Sequence, residues 1–382
     1  MLLNSPLKES KRREAALKII SSKVKKNRQK LYDLTGLSGG FLLNQDDIGL
    51  LETYAGPAIF EEQLQPLGIK HLGGEKVLAL NRTSSGLLAS ILALAKPGNQ
   101  VVHFLPQLPS HPSIPLSVKL VGANYTEFIC IDEFEIGKKT DLVIITGSTM
   151  DHQIISKEDF LRVIEISNNE NIPVLVDDAS GARLRTIIYK QPRAIDMGAD
   201  LVITSTDKLM DGPRGGLMSG KSELVDQVKS KAHQYGLEAQ PPLIAGMVRA
   251  LEKFNPERIL KSRNKKHELL DQLKNDFRVK ETPTGIMLLP EDIKDKLKDV
   301  KTSLNSPELA SVLSMILLRD YSIITIPAVG MPGVSTTIRM DMASKDAIRL
   351  DVEYITHAIK SSISKLREVV ADKEACRSLL FD

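Results

Sequence analysis

Between residues 76 and 220, short apolar runs recur with helix-length stretches separating most of them, and this alternation restricts the fold more than any other feature of the chain. The runs are Lys76–Ala79, Gln100–Phe104, Asn124–Glu127, Leu142–Ile145, Val174–Val176, Leu201–Thr204 and Gly216–Met218. Stretches such as Gly86–Leu94, Lys157–Asn168 and Leu224–His233 carry helical spacing. Strands read as continuous apolar runs when both faces of a sheet are covered, which predicts an α/β fold around a mostly parallel sheet. From Pro256 the pattern changes to a charged helix through Asp276, followed by short strands and two helices, as in a smaller α+β domain. Three parts are expected: a basic helical arm over residues 1–40, a large domain over 41–255 and a small C-terminal domain over 256–382.

In a parallel α/β sheet, strand ends open into the crevice where ligands bind. Two runs end in reactive groups. Asp177 and Asp178 follow Val174-Leu175-Val176, and Lys208 follows Leu201-Val202-Ile203-Thr204-Ser205-Thr206-Asp207. A lysine in such a place is usually a solvated loop residue, and an aspartate there is usually a cap. A third element changes the balance. Thr83-Ser84-Ser85-Gly86 precedes a helical stretch, and hydroxyls and amides at a helix start can hold an anion. Together the three suit pyridoxal phosphate: Lys208 for a Schiff base with the aldehyde, Asp177 for the protonated pyridine nitrogen, and residues 83 to 86 for the phosphate.

The motifs resemble those of the selenocysteine synthase family, within fold type I (aspartate aminotransferase-like) enzymes that use pyridoxal phosphate. Asp177-Asp178-Ala179-Ser180-Gly181 is similar to that family's Asp-Leu-Gly-Ser-Gly. Ser205-Thr206-Asp207-Lys208-Leu209-Met210-Asp211-Gly212-Pro213-Arg214-Gly215-Gly216 is similar to its Ser-Gly-Asp-Lys-Leu-Leu-Gly-Gly-Pro-Gln-Ala-Gly. The likeness runs through residues 31 to 255 and is looser beyond, and it is closer still to an archaeal branch of the family. It implies that Lys208 carries the cofactor and that Asp177 meets the ring nitrogen. It further implies that Ser180 lies near the ring hydroxyl and that Ser205 joins Thr83, Ser84, Ser85 and Gly86 at the phosphate. Ser148 is a further candidate cofactor contact, and His111 occupies the loop position where the family stacks a side chain on the ring. Arg339, on an alternating run from Val334 to Asp341, matches the place where fold type I enzymes grip a substrate carboxylate, an anion well suited to a guanidinium fork. Arg214 replaces the family's Gln and could reach the phosphate or a substrate anion.

The departures are as informative. The family has a lysine and a histidine where this chain has Ile144 and Thr146, and basic residues where this chain has Leu237-Glu238-Ala239-Gln240. Its early Asn-x-Gly-Arg motif has no clear counterpart after Gly36. Charges suited to a phosphate-like donor or a tRNA end are absent where the family would place them. The expected activity is therefore Cα carbanion chemistry on a small amino-group substrate, ending in β-elimination (a lyase) or β-replacement (a transferase). Alternatives are L-seryl-tRNA(Sec) selenium transfer, cofactor binding without turnover, and lysis of an amino sugar acid or sulfur amino acid.

Charge and cysteine content bound the partners. Between Leu7 and Lys30 there are ten Lys/Arg and two Glu, a balance of +8, while the whole chain is +3 and the remainder therefore −5. This stretch has helical apolar spacing at Ala15, Ala16, Ile19, Ile20 and Val24. Packing on the small domain or on a second copy is favoured over RNA contact through residues 7–30, because the body is mildly acidic and aromatics make up only 4% of residues. No apolar run approaches the length of a membrane span. Cys130 and Cys376 offer neither a disulfide framework nor metal spacing. The expectation is a cytoplasmic homo-oligomer (a dimer or higher) that binds no metal.

Overall fold

The computed structural model describes residues 1–38, 43–330 and 336–382. The chain divides into two compact units, one made of residues 1–36 with 257–382 and the other of residues 37–256.

The larger unit is built on a seven-stranded sheet: β1 (Lys76–Leu80), β2 (Gln100–Phe104), β3 (Asn124–Phe128), β4 (Thr140–Thr146), β5 (Val174–Asp177), β6 (Leu201–Ser205) and β7 (Gly216–Gly220). The spatial order is β1-β7-β6-β5-β4-β2-β3. Only β7 runs antiparallel to its neighbours; β3, β2, β4, β5 and β6 are mutually parallel. Each expected run is a strand, lengthened at one or both ends in all but β2. The apolar runs are explained by cover on both faces. Leu142, Ile144, Leu175, Leu201 and Ile203 pack with Leu87 and Ile91 of α4, with Ile114 and Val118 of α5, and with Val225 and Val228 of α7. Val143, Ile145, Val174, Val176 and Val202 pack with Phe60 and Leu64 of α3, Phe160 and Val163 of α6, and Met247 and Val248 of α8. Those helices are α3 (Ala55–Leu72), α4 (Thr83–Leu94), α5 (Ser113–Val121), α6 (Lys157–Asn169), α7 (Ser222–Gln234) and α8 (Pro241–Glu252).

Two corrections follow from the local structure. Helix α4 begins at Thr83 rather than Gly86, so Thr83, Ser84 and Ser85 form its first turn, and the cap position, Arg82, makes no side-chain capping bond. In the smaller unit, residues 277–382 hold three longer helices, α10 (Ser306–Tyr321), α11 (Val352–Val369) and α12 (Lys373–Phe381), where two were expected. Helix α9 (Glu257–Leu273) is the charged segment after Pro256. A three-stranded sheet there includes β8 (Gly285–Leu288) and β9 (Ile338–Asp341). Val334 and Ser335, read as the start of that last strand, lie outside the described residues.

The basic N-terminal segment is helix α1 (Pro6–Asn27), preceded by Ser5, whose hydroxyl accepts from the Lys8 amide. It packs within the smaller unit through Ala15 and Ala16. Arg12 is buried against the Pro327 and Ala328 carbonyls, and Lys23 donates to the Arg319 carbonyl at 2.8 Å. Lys11, Arg13, Lys18, Lys25 and Lys26 remain exposed.

A glycine contrast tests the packing. A Cβ on Gly86 would press into Ile203 and Leu80, whereas one on Gly49, in helix α2 (Gln45–Leu51), would meet nothing within 4 Å. Gly86→Ala should lower stability by about 1–3 kcal/mol, and Gly49→Ala should raise it by up to about 1 kcal/mol, both read by denaturant unfolding.

Candidate active site

Side-chain alternation along β5 separates the two acids at its end. Leu175 and Asp177 face the α4–α5–α7 side; Val176 and Asp178 face the other. Asp178 meets Arg185 in an ion pair whose side chains are 1% and 0% exposed. The Arg185 Nε donates to Asp178 Oδ1 at 3.1 Å, and the guanidinium lies 5.0 Å from the centre of the Phe160 ring. The turn after β5 closes tightly over this pair, because a Cβ on Gly147 or Gly181 would collide with Asp178.

Asp177 has a different setting. It is buried, and its Oδ1 has no hydrogen-bond partner among the described residues. Burial raises its pKa to about 6, against the opposing charge of Lys208. The same lysine helps burial to lower the pKa of His111 to about 4. Asp177, Lys208 and His111 are thus electrostatic neighbours although 97 residues separate His111 from Lys208. Helix α4 reaches the same region. Gly216, which opens β7 at the end of the loop after Lys208, lies against the Arg82–Thr83 peptide, and a Cβ there would sit 2.6 Å from the Arg82 carbonyl oxygen.

The loop carrying Lys208 is firmly closed. The Thr206 amide donates to the Gly215 carbonyl at 3.0 Å, the Gly212 amide to the Thr206 carbonyl at 3.0 Å, and the Thr206 hydroxyl to the Pro213 carbonyl at 2.6 Å. Lys208 also bridges to Leu37, and the Ser38 amide donates to the Asp207 carbonyl at 2.7 Å. Leu209 and Asp211 adopt positive φ of 61° and 41°. Such strain in non-glycine residues concentrates where a site is held in a fixed shape.

The other expected contacts divide. Ser180 donates to Ser148 at 3.1 Å, so this pair comes together. The Ser205 hydroxyl is committed to Asp207, which also takes Arg214 at 3.3 Å. Among the described residues, the start of α4 has no side-chain capping hydrogen bond. Arg339 belongs to the smaller unit, on β9, where its charge opposes the burial that raises the pKa of Asp341. Ile144 is core, and the acid at Glu238 is bonded to His233 at 2.9 Å.

Sequence reading missed three groups. Arg183 is fully buried and donates to the carbonyls of Ala179 at 2.8 Å and Ser205 at 2.5 Å, tying the end of β5 to the end of β6. Arg185 partners Asp178. His103 comes from β2 to meet Thr146 of β4 at 2.8 Å. The seven-residue spacing of Asp178 and Arg185 was visible but carried no signal in an irregular turn; the position of His103 depends on strand order.

This architecture is the fold type I, aspartate aminotransferase-like fold. Solved structures share it: a chain of the SepCysS–SepCysE N-terminal domain complex superposes with a TM-score of 0.62 at 17% identity, covering 90% of this chain and 98% of that one. L-threonine transaldolase from Pseudomonas fluorescens gives 0.66 at 14% identity, covering 94% and 89%. Residues 136–294 match the family described as L-seryl-tRNA selenium transferase, and residues 275–351 match the UPF0425 C-terminal domain. The chain is 52% identical to a UPF0425 pyridoxal phosphate-dependent protein of Methanothermobacter thermautotrophicus, over 100% of both. It is also 52% identical to the Methanosphaera stadtmanae protein of the same description, over 96% of this chain and 97% of that one. An L-seryl-tRNA(Sec) selenium transferase of Mannheimia succiniciproducens is 28% identical over 55% of this chain and 48% of its own length. The chain belongs to the UPF0425 family of pyridoxal phosphate-dependent proteins.

The two acids should respond oppositely to loss of charge. Asp178→Ala strands a buried guanidinium and should cost about 3–5 kcal/mol. For Asp177 the folded pKa, about 6, lies above its ordinary 3.8. The folded state therefore binds the proton more tightly, and the fold is penalised as pH rises through this window. The penalty is complete above it, at about 3 kcal/mol as an order of magnitude. Asp177→Asn should then stabilise the cofactor-free protein near pH 7.5 and not near pH 4, as read from melting temperatures at the two pH values.

Proposed function

We propose that this protein is a pyridoxal phosphate-dependent enzyme acting on a small amino-group substrate, as a lyase or a β-replacement transferase, with Lys208 and Asp177 at its centre. The observation that carries the reading is the buried, unpartnered Oδ1 of Asp177 beside Lys208 at adjacent strand ends. A buried carboxylate oxygen left without a hydrogen-bond partner is costly and calls for a hydrogen-bond-donating or cationic group. A protonated pyridine nitrogen is such a group, so the residues fit the cofactor. Lys208 would hold it covalently through its ε-amine. The first turn of α4, with hydroxyls not spent on capping, is the proposed phosphate seat.

The cofactor ring, when bound, withdraws electrons from the substrate Cα. Asp177 keeps a proton on the ring nitrogen. Lys208 Nζ would take the proton from Cα, which requires the neutral amine at that moment, and would give it to the departing β-substituent in elimination, or back to Cα once another nucleophile has replaced that substituent. His111 stays neutral at physiological pH because burial and Lys208 both oppose its protonation; we propose that it packs on the ring. Ser148 and Ser180, bonded to each other, are proposed near the ring hydroxyl, and Ser205 beside the phosphate. Arg214 is the proposed anchor for an anion on the substrate. We further propose a cytoplasmic homo-oligomer; among the described residues no helix is long and apolar enough to cross a membrane.

Lyase or β-replacement chemistry on a small molecule is favoured over transfer to seryl-tRNA. Ile144 is core and Glu238 pairs with His233, so neither position offers a cation for a phosphate-like donor. The relatives named for seryl-tRNA match only part of this chain.

Borohydride reduction followed by peptide mapping should place the cofactor on Lys208, and Lys208→Ala should lose the label entirely; a label on another lysine refutes the assignment. With charged tRNA and selenophosphate, selenocysteyl-tRNA should not form above background. RNA binding, if measured by titration at two salt concentrations, should be weak and fall steeply with salt. Robust conversion would instead make this protein a selenium transferase.

A further inference from the structure

Next to Asp177, across three adjacent strands, four polar side chains form an unbroken hydrogen-bond chain on the sheet face that also carries Leu142, Ile144 and Leu175. Glu127 and Tyr125 stand on β3, His103 on β2 and Thr146 on β4. The Tyr125 hydroxyl donates to Glu127 Oε2 at 2.7 Å. His103 Nδ1 lies 2.7 Å from that hydroxyl, and His103 Nε2 lies 2.8 Å from Thr146 Oγ1. Thr146 is the direct cross-strand partner of Asp177. In-register neighbours of a parallel pair present their side chains to the same face, so the chain ends beside the carboxylate at the crevice end of the sheet.

The direction of every bond in this chain is fixed by elementary donor and acceptor capacity. The Tyr125 hydroxyl has a single proton. A carboxylate can only accept, so Glu127 takes it. His103 Nδ1 must then be the donor to the phenolic oxygen, which also bonds to Ser110. His103 is fully buried, and burial lowers its pKa to about 3, so the ring is neutral. With its one proton on Nδ1, Nε2 carries a lone pair and accepts from Thr146. The Thr146 proton is thereby committed inward, and the hydroxyl can only accept from anything else.

We propose that Glu127, Tyr125 and His103 are positioning residues that lock Thr146 as a hydrogen-bond acceptor beside Asp177, so that this end of the site selects a protonated nitrogen. The inference rests on the cofactor reading above for the identity of that nitrogen, but the locked tautomer stands on the hydrogen bonds alone. Filling the same sheet face with apolar side chains would pack equally well, and a buried polar chain is tolerable only when every member is satisfied. The chain here meets that condition at Tyr125 and His103. It extends the acceptor character of the site from one carboxylate to a two-residue pair contributed by neighbouring strands. It also assigns a role to an imidazole that lies on a different strand from the one where sequence comparison would look for it.

The experiment has two arms. In the first, nitrogen NMR of the full-length holo-protein labelled at histidine, with His103 assigned through His103→Asn, reads the tautomer. Nδ1 should be protonated and Nε2 bare, with no change from mildly acidic to mildly alkaline pH. A protonated Nε2 overturns the proposal. In the second, the cofactor-free protein is titrated with pyridoxal phosphate and with its 1-deaza analogue, in which a carbon replaces the ring nitrogen. Tyr125→Phe removes the acceptor for Nδ1–H, favouring the opposite tautomer and turning the Thr146 proton outward. Thr146→Val removes the acceptor itself. Each should cut the preference for pyridoxal phosphate over the analogue about tenfold, the equivalent of one hydrogen bond to a charged group. Thr146→Ser should keep the preference within about twofold, which a merely structural role for the chain does not predict. If Tyr125→Phe fails to fold, Thr146→Val and Thr146→Ser carry the comparison. An unchanged preference in Thr146→Val refutes the selection of nitrogen. Failure of the wild-type protein to bind pyridoxal phosphate refutes the function proposed above and the selection with it, and leaves the tautomer as an independent result.

Discussion

The opposed placement of Asp177 and Asp178 at the end of β5 is the constraint around which the rest of the candidate site is arranged. One backbone step reverses the face of the sheet, and with it the fate of a carboxylate. Asp178 falls toward α6 and is neutralised by Arg185 in a pocket sealed by Gly147, Gly181 and the Phe160 ring. Its charge is satisfied internally by Arg185, and it also adds to the rise in the Asp177 pKa. Asp177 falls toward α4, keeps one oxygen without a partner among the described residues, and has its pKa raised to about 6 by burial. A buried ion pair contributes little net stability but breaks at high cost, which suits a fastener. A buried lone acceptor contributes negatively to stability, which suits a binding group.

Around that division the surrounding backbone is rigid. Arg183 joins the carbonyl ends of β5 and β6, so Asp177 and the loop leading to Lys208 cannot drift apart. The Thr206–Gly215 and Thr206–Gly212 bonds close the Lys208 loop on itself, at the expense of two non-glycine residues in the left-handed region. Gly216 lets β7 return against the first turn of α4 without a side chain in between. Each contact fixes the distance between groups of the candidate site, and side chains so supported need little reorganisation to take up a ligand.

The His103 chain brings a histidine to Thr146, on the strand end where the family resemblance would place one. Selenocysteine synthase-like sequences carry a histidine on the strand that holds Thr146 here. In this chain a histidine reaches the same strand end from β2, kept neutral by burial. A neutral imidazole cannot attract a phosphate-like donor. It can orient a hydroxyl, and that is a different demand on the same region of the sheet.

Much of this was legible in the amino-acid sequence. The strand runs, the parallel α/β class and the change of pattern near Pro256 follow from local apolar periodicity, because burial on two faces leaves an uninterrupted record in the sequence. Asp177, Lys208 and Ser180 stood out as candidates because their motifs are contiguous and sit at or just beyond strand ends. Alternation along a strand, a local rule, also sets Asp177 and Asp178 on opposite faces of the sheet. What the sequence could not contain is which strand lies beside which. The pairing of His103 with Thr146, the salt bridge from Arg185 in an irregular turn, and the return of Gly216 to Arg82 join residues whose separation carries no periodic signal. The first turn of α4 differs from expectation: Thr83, Ser84 and Ser85 have the composition of a cap but lie inside the helix, which starts three residues earlier, while Gly86 packs against Ile203 and Leu80. Local chemistry determined which groups this protein carries, and only the order of strands in the sheet decided which of them meet.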